Sequence, residues 1–380
     1  MSDGVKLLRV QFASVEVTER TTWTFAEFLD VDGLKAVTEI TSGSDTARAV
    51  GLLPEMLGAL KGGALPSDVD VQTRLSFSDY DLQKDKAKAT AVSAIRSAVS
   101  DLLAQKQGLS LTEFLGGAPH ESVPLYANIN RHLLTRERTP EAFANAALLA
   151  VNNGFTTIKC APFDEVTPPS TAEAVLDLAG LGIRRVAAIR DAVGPDVTVL
   201  VDCHSRFELH TAPLIAEELA KSNIGWFEEP VEPTSDIAAL VEIAALVGIT
   251  VAGGENGYGQ QFFDGLIGSG AVSVIMPDVK YCGGIAEAYR AGKSALAVGA
   301  QVSPHSPSGP VSLLLGGHVT AALPEALPLE HAVYEASWRS EVMSPAELVK
   351  DGRLWMPSGF GLGATLDDAV IAKRGKRWKP

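Results

Sequence analysis

Val197-Thr-Val-Leu-Val-Asp202 is the first of five short apolar runs that close on an acidic residue or a histidine. Ile224-Gly-Trp-Phe-Glu228, Ile249-Thr-Val-Ala-Gly-Gly-Glu255, Val272-Ser-Val-Ile-Met-Pro-Asp278 and Gly299-Ala-Gln-Val-Ser-Pro-His305 follow. Neighbours in the series are about 25 residues apart, the length of one strand-plus-helix unit in a barrel of parallel strands. Most of the runs are rich in β-branched residues, as expected of strands buried on both faces. Between them, residues 212–221, 237–246 and 286–298 carry apolar side chains at helical spacing, the crossovers that parallel strands require. In a (β/α)8 barrel the C-terminal strand ends ring one mouth, so these five residues converge on one pocket. Three carboxylates followed by an Asp and a His are what metal-assisted proton transfer needs.

The remaining sequence has a different texture. A barrel of about 250 residues does not use up 380, so a second domain is expected. Residues 7–12, 22–28 and 35–40 alternate like antiparallel strands, with Asp32-Gly33 as a turn. Helices are expected at 46–60 and 87–105, the latter apolar at Ala91, Ala94, Ile95, Ala98, Val99 and Leu102. Leu115-Gly116-Gly117-Ala-Pro119 breaks the pattern and leads into the first barrel strand at 123–128. The Gly- and Pro-rich tail from 345 shows no obvious strand. The expected division is an α+β capping domain over 1–122, a barrel over 123–335 and a segment over 336–380 that returns to the cap.

A net charge of −14 disfavours a nucleic-acid surface and offers no basic stripe for an anionic membrane. No apolar run is long enough to span a bilayer. Cys160, Cys203 and Cys282 form no CxxC or secretory pattern and read as small buried hydrophobes in a reducing compartment. The N-terminus has no charged region followed by an apolar core, so a cytoplasmic location is expected.

Removing a proton from the carbon next to a carboxylate places two negative charges on one group. An all-oxygen cage of Asp202, Glu228 and Glu255 suits a hard divalent ion, Mg²⁺ first, that neutralises this charge as a Lewis acid. Glu229 competes with Glu228, but strand neighbours face opposite sides. Asp278 can hold one ring nitrogen of His305 protonated and make the other an effective base. His204, two residues after Asp202, is expected on the same face of the strand and suits a general acid. A fourth metal ligand, favouring a softer ion such as Zn²⁺, or a hydrogen-bonded structural histidine are its other readings.

Taken in order and spacing, these residues resemble the enolase superfamily, in particular its mandelate racemase subgroup, over nearly the whole chain. The resemblance rests on Asp32-Gly33-Leu34, Ala94-Ile95, Trp226-Phe-Glu-Glu-Pro230, Gly253-Gly-Glu-Asn256, Met276-Pro-Asp278 with Gly283-Gly284, and His305. It implies a modified (β/α)8 barrel with an α+β capping domain, a Mg²⁺ site at Asp202, Glu228 and Glu255, and a His305–Asp278 dyad. It also implies an eighth-strand carboxylate at Glu330. Asp202, His204 and Arg206 match the Asp-x-His-x-Arg pattern of the D-galactonate dehydratase type, in which the His helps a β-hydroxyl leave.

The subgroup's racemases carry Lys-x-Lys on the second strand; here Lys159 matches the first and Ala161 replaces the second. One base with a separate acid favours elimination. The expectation is a Mg²⁺-dependent sugar-acid dehydratase, a lyase giving a 2-keto-3-deoxy acid. His305, Asp278, His204, Lys159 and Glu330 are expected to be catalytic, and Asn128 and Arg206 to bind substrate. The role of Lys280 stays open. An epimerase, racemase or cycloisomerase, or a silent binding paralogue, are the alternatives. The expected partners are a small acid sugar and further copies of the chain in a homo-oligomer.

Overall fold

Alternation along short strands organises the molecule. The computed structural model describes residues 4–134 and 136–380. The chain opens with an antiparallel meander, β1 (Leu7–Thr18), β2 (Thr21–Asp30) and β3 (Lys35–Glu39). Asp30 shapes the second turn, its Oδ1 accepting from the backbone N–H groups of Asp32 and Leu34, each at 2.9 Å. Helices α1 (Thr46–Leu60), α2 (Val69–Leu75), α3 (Asp79–Gln83), α4 (Lys86–Gln107) and α5 (Leu111–Phe114) complete the cap. Asp85 starts α4 by accepting from Lys88 N–H at 3.1 Å, and Gly108, at φ 66°, ends it. The expected apolar stripe of α4 packs under the meander. Its opposite face, with Ser93, Arg96, Ser97 and Asp101, is buried too, because the barrel lies against it.

Eight parallel strands follow: β4 (Ser122–Asn128), β5 (Thr157–Cys160), β6 (Thr198–Asp202), β7 (Trp226–Glu228), β8 (Val251–Gly253), β9 (Val274–Ile275), β10 (Gln301–Val302) and β11 (Leu329–Ala332). Each of β4 to β9 pairs with the next, and β11 pairs with β4. Leu327 N–H to Val302 C=O (2.8 Å) and Glu330 N–H to Pro304 C=O (3.3 Å) close the ring between β10 and β11. The crossovers are α6 (Asn130–Leu133) with α7 (Pro140–Asn152), then α8 (Ala172–Val193), α9 (Ala212–Ala220), α10 (Ile237–Leu246), α11 (Gln260–Gly268), α12 (Ile285–Ala297) and α13 (Pro310–Ala322). After β11 a 3₁₀ turn at Arg339–Val342 replaces the eighth crossover, which is the modification of the barrel.

The barrel interior is an apolar plug of Tyr126, Leu200, Trp226, Ala252, Val274 and Met276, with Tyr126 and Trp226 in an edge-to-face pair at 5.7 Å. Ile158, Cys160, Val199, Val201 and Phe227 face outward under the helices. Side chains alternate with period two, so Asn128, Asp202 and Glu228 lie one step above Tyr126, Leu200 and Trp226, at the mouth. The three cysteines are free and buried, and burial pushes the Cys160 thiol up to about 12. Among the described residues no helix is long and apolar enough to cross a membrane.

The tail corrects the sequence reading, which found no strand after residue 345. After β12 (Met343–Ser344) it contains β13 (Leu348–Lys350), β14 (Arg353–Trp355), β15 (Thr365–Leu366), α14 (Asp368–Arg374) and β16 (Gly375–Trp378). These strands span two to four residues and carry no apolar alternation of their own. Distant partners specify them: β14 lies antiparallel on β4, and β16 on β1 with Trp378 opposite Phe12.

Asp101 ties tail to cap, its Oδ1 accepting from Leu362 N–H at 2.9 Å and from Gln105 Nε2 at 3.0 Å. Burial pushes its carboxyl up to about 7. A carboxyl whose folded value is raised favours folding while protonated, so its contribution is complete below about pH 4 and is lost as pH rises towards 7. Asp101→Asn keeps both accepted hydrogen bonds. Its stability relative to the native protein should therefore climb by a few kcal/mol between pH 4 and 7 and then level off. Urea denaturation across that range measures this, and a pH-independent difference would refute the assignment.

Candidate active site

Lys159, at the centre of the mouth, is completely buried. Its Nζ lies 2.7 Å from Glu228 Oε1 and 2.9 Å from Glu330 Oε1. Burial works against its charge, but the two carboxylates outweigh burial and hold its pKa well above the ordinary lysine value. Glu228 is held on its other oxygen by the Trp226 indole, Nε1 to Oε2 at 2.9 Å. Burial, then neighbouring carboxylates, push Glu228 upward against the pull of Lys159. Glu330 accepts from Asn128 Nδ2 at 2.6 Å and from Ser306 N–H at 3.0 Å. Asn128 is thus brought to the site as the partner of Glu330, and its Oδ1 also accepts from Asn130 N–H at 2.9 Å.

On one side stands the histidine–aspartate pair. His305 Nδ1 is 2.8 Å from Asp278 Oδ2, while Nε2 faces Glu255 Oε2 at 2.9 Å and Glu330 Oε2 at 3.4 Å. Burial alone would lower the imidazole's pKa, but Glu255, Glu330 and the Asp278 hydrogen bond carry it well above 6.5. Lys280 shares Asp278, with Nζ at 3.2 Å from Oδ2 and its backbone N–H donating to Oδ1 at 2.8 Å. The ammonium also donates to Ser308 Oγ at 2.7 Å. Asp278 is therefore clamped between a lysine and a histidine.

Across the mouth, His204 Nε2 is 2.8 Å from Asp202 Oδ2, and His204 N–H donates to Asp202 Oδ1 at 2.9 Å. Strand alternation does not place it there: β6 ends at Asp202, and His204 and Ser205 turn through φ 48° and 54°. The half-exposed imidazole is pushed up to about 9, first by the Asp202 charge. Glu229, at φ 37°, turns away from Glu228, its Oε1 accepting from the N–H groups of Gly254 (2.7 Å) and Glu255 (3.2 Å). It shapes the loop that carries Glu255. Arg206 Nη1 donates to the backbone carbonyls of Val166 (2.6 Å) and Asp164 (3.3 Å), so the structure gives it the task of ordering the loop after β5.

The mouth thus gathers Asp202, Glu228, Glu255, Asp278 and Glu330 around two lysines and two histidines. Among the described residues, no three Asp, Glu, His or Cys side chains already stand at ligand spacing. Asp202, Glu228 and Glu255 each turn towards a different cation, His204, Lys159 and His305 respectively. The donor chemistry still fits a hard divalent cation. Asp202 and Glu228 are register partners on adjacent strands; burial pushes the Glu228 carboxyl up, while His204 and Lys159 outweigh burial and hold the Asp202 carboxyl below its ordinary value. All the donors are carboxylate oxygens.

Sequence reading missed Trp226 and Ser306 as partners of this layer. Trp226 had a signal, since it stands two residues before Glu228 and shares its face. Ser306 acts through its backbone and had none.

A family model described as enolase C-terminal domain-like matches residues 142–370. The chain is 30% identical over 300 residues to the D-gluconate dehydratase of Thermoproteus tenax, covering 78% of this chain and 58% of that protein. It is 30% identical over 295 residues to the D-xylonate dehydratase of Haloferax volcanii, covering 74% of this chain and 69% of that one. The chain therefore spans less than two thirds of the first relative's length. A solved structure of an enolase superfamily member from Salmonella typhimurium superposes with a TM-score of 0.88 at 24% identity, covering 99% of this chain and all of that one. This protein belongs to the enolase superfamily, whose members generally use Mg²⁺.

Removing Lys159 would strand two buried carboxylates. Lys159→Met should destabilise the metal-free protein by about 3–5 kcal/mol, the range for breaking one side of a buried ion pair. Adding Glu330→Gln should recover part of the loss. Urea denaturation in EDTA reads both, and equal stability of native and Lys159→Met proteins would contradict the buried pairing.

Proposed function

We propose that this protein is a divalent-metal-dependent hydro-lyase that dehydrates a sugar acid to a 2-keto-3-deoxy acid. The observation that carries the reading is the placement of two histidines on opposite sides of one carboxylate layer. His305 is oriented through Nδ1 by Asp278, and His204 stands 2.8 Å from Asp202. One supplies a base, the other an acid. The relatives reported above are dehydratases of sugar acids, which supports the same reading.

His305 Nε2 takes the proton α to the substrate carboxylate, since Nδ1 is occupied by Asp278. Lys159, fixed between Glu228 and Glu330, brings positive charge to the carboxylate end as negative charge builds there. His204 donates a proton to the β-hydroxyl, which leaves as water, and the resulting enol tautomerises to the 2-keto-3-deoxy acid. Mg²⁺ held by Asp202, Glu228 and Glu255 would supply Lewis-acid stabilisation of the developing charge. Epimerisation needs a second base across the α-carbon. Ala161 offers none, and the Lys159 ammonium is taken up by two carboxylates.

The histidines separate experimentally. His305→Asn should lower both turnover and exchange of the α-proton with deuterated water by about 10²–10⁴-fold, the usual contribution of a positioned base. His204→Asn should lower dehydration more than exchange. Equal loss of exchange in the two variants would reject this division of roles. Glu255→Gln should abolish activity and weaken Mg²⁺ binding in calorimetry without unfolding the chain; full activity in that variant would remove the metal site.

A further inference from the structure

Resting on the dehydratase reading, we propose that Lys280 is a positioning residue of the reaction. Its ammonium keeps Asp278 an accepting carboxylate, so that His305 in its base form carries its one ring hydrogen on Nδ1 and presents a free lone pair at Nε2. The side chains of Lys280 and Asp278 are 1% and 0% exposed, so water does not stabilise the carboxylate. Lys280 Nζ stands 3.2 Å from Asp278 Oδ2, the same oxygen that His305 Nδ1 reaches at 2.8 Å. The charge therefore acts on the oxygen that orients the ring. Among the described residues Asp278 pairs with no cation besides these two. Burial works against an ionised Asp278; Lys280 first, then His305, outweigh burial and hold the carboxyl below its ordinary value.

What depends on Lys280 is the tautomer of the base. A carboxylate only accepts hydrogen bonds, whereas a carboxylic acid donates one. A protonated Asp278 would donate to Nδ1, force the ring hydrogen onto Nε2 and remove the base from the side that meets the α-proton. A buried carboxyl without a cation beside it takes up a proton, so Lys280 decides between the two arrangements. Its own contacts leave nothing for the substrate. An ammonium has three hydrogens, and those of Lys280 go to Asp278 Oδ2, to Ser308 Oγ at 2.7 Å and to Tyr281 OH at 3.3 Å. Both neutral acceptors are held in turn. Arg339 Nη1 donates to Ser308 C=O at 2.7 Å, and Tyr281 OH donates to Thr41 C=O of the cap at 3.3 Å. Lys280 thus acts through Asp278 rather than on the reacting atoms.

Lys280→Gln, Asp278→Asn and the two combined, each in the full-length protein with Mg²⁺, are assayed on acid sugars for 2-keto acid and for exchange of the α-proton with deuterated water. Lys280→Gln should lower kcat and exchange together, by up to the ~10²–10⁴-fold of a positioned base, with KM unchanged. Lys280→Arg, which keeps the charge, should restore most of the loss. Added to Asp278→Asn, Lys280→Gln should cost nothing further. Infrared difference spectra against the native protein, which need no substrate, should show a new protonated-carboxyl band in Lys280→Gln and none in the combined variant. Losses that multiply in the combined variant, a change confined to KM, or no new band overturn the assignment. Should Lys280→Gln fail to fold, comparing Asp278→Asn with the combined variant still decides, because the latter leaves no charge of this pair behind. A new band in a protein that dehydrates no acid sugar upholds Lys280 and removes the dehydratase reading. Dehydration untouched by Lys280→Gln does the reverse.

Discussion

The Lys159 ammonium, out of reach of water between Glu228 and Glu330, is the interaction on which the mouth of the barrel depends. Below it lies the plug of Tyr126, Leu200 and Trp226, which supplies no counter-charge. Carboxylates placed there by strand alternation would repel one another and take up protons unless a cation stood among them. Lys159 is that cation, and its position fixes two rotamers at once. Trp226, two residues before Glu228 on β7, and Asn128, on β4 beside the strand of Glu330, then complete the hydrogen bonding of the two carboxylates. A charged layer this well satisfied is costly to rearrange, which is what orienting a reacting group demands.

The cap is bolted to the barrel through the loops that carry this chemistry. Gln83 holds the Glu255 loop at two points, donating to Asn256 C=O at 3.0 Å and accepting from Tyr258 N–H at 2.6 Å. Arg96 is buried and pairs with Asp68 at 2.7 Å and with Glu287 of α12. Glu39, at the end of β3, accepts from Gly309 N–H (2.7 Å) and Ser312 N–H (3.0 Å) at the start of α13, just after His305. Gly283 and Gly284, at φ 111° and 88°, let α4 come so close that Ser93 and Ser97 receive backbone N–H groups from the barrel. A side chain at Gly284 would meet Ser97 Oγ at 2.8 Å and Ser93 C=O at 2.9 Å, so the pair is required by the approach of the two domains.

Much of this was legible because barrel strands repeat. The spacing of Asp202, Glu228, Glu255, Asp278 and His305 located the strand ends, and the resemblance extended the fold to the cap. The pairing of His305 with Asp278 could be anticipated from their places on neighbouring strands. Tertiary contacts without a local pattern were not legible. The tail strands depend on β1 and β4, the buried polar face of α4 depends on the barrel, and the turn at His204 depends on backbone angles that alternation does not describe. Arg206 matched a motif, yet its guanidinium is fastened to backbone carbonyls of the β5 loop. Lys280, two residues from Asp278, could be read as sharing its face, but the contacts with Ser308 and Tyr281 arise only in the folded loop.

The fold also divides the support of the mouth residues between the cap and the barrel. The bonds that anchor the Glu255 loop come from Gln83 and from Lys86, whose Nζ donates to Asn256 Oδ1 at 2.7 Å. Both belong to the α3–α4 region, Gln83 half-buried and Lys86 at the exposed edge of the interface. Lys159 and His305, in contrast, are held by partners on the barrel itself, Glu228 and Glu330 for the one and Asp278 for the other. The cap therefore sets where Glu255 stands relative to a lysine and a histidine that the barrel has already fixed.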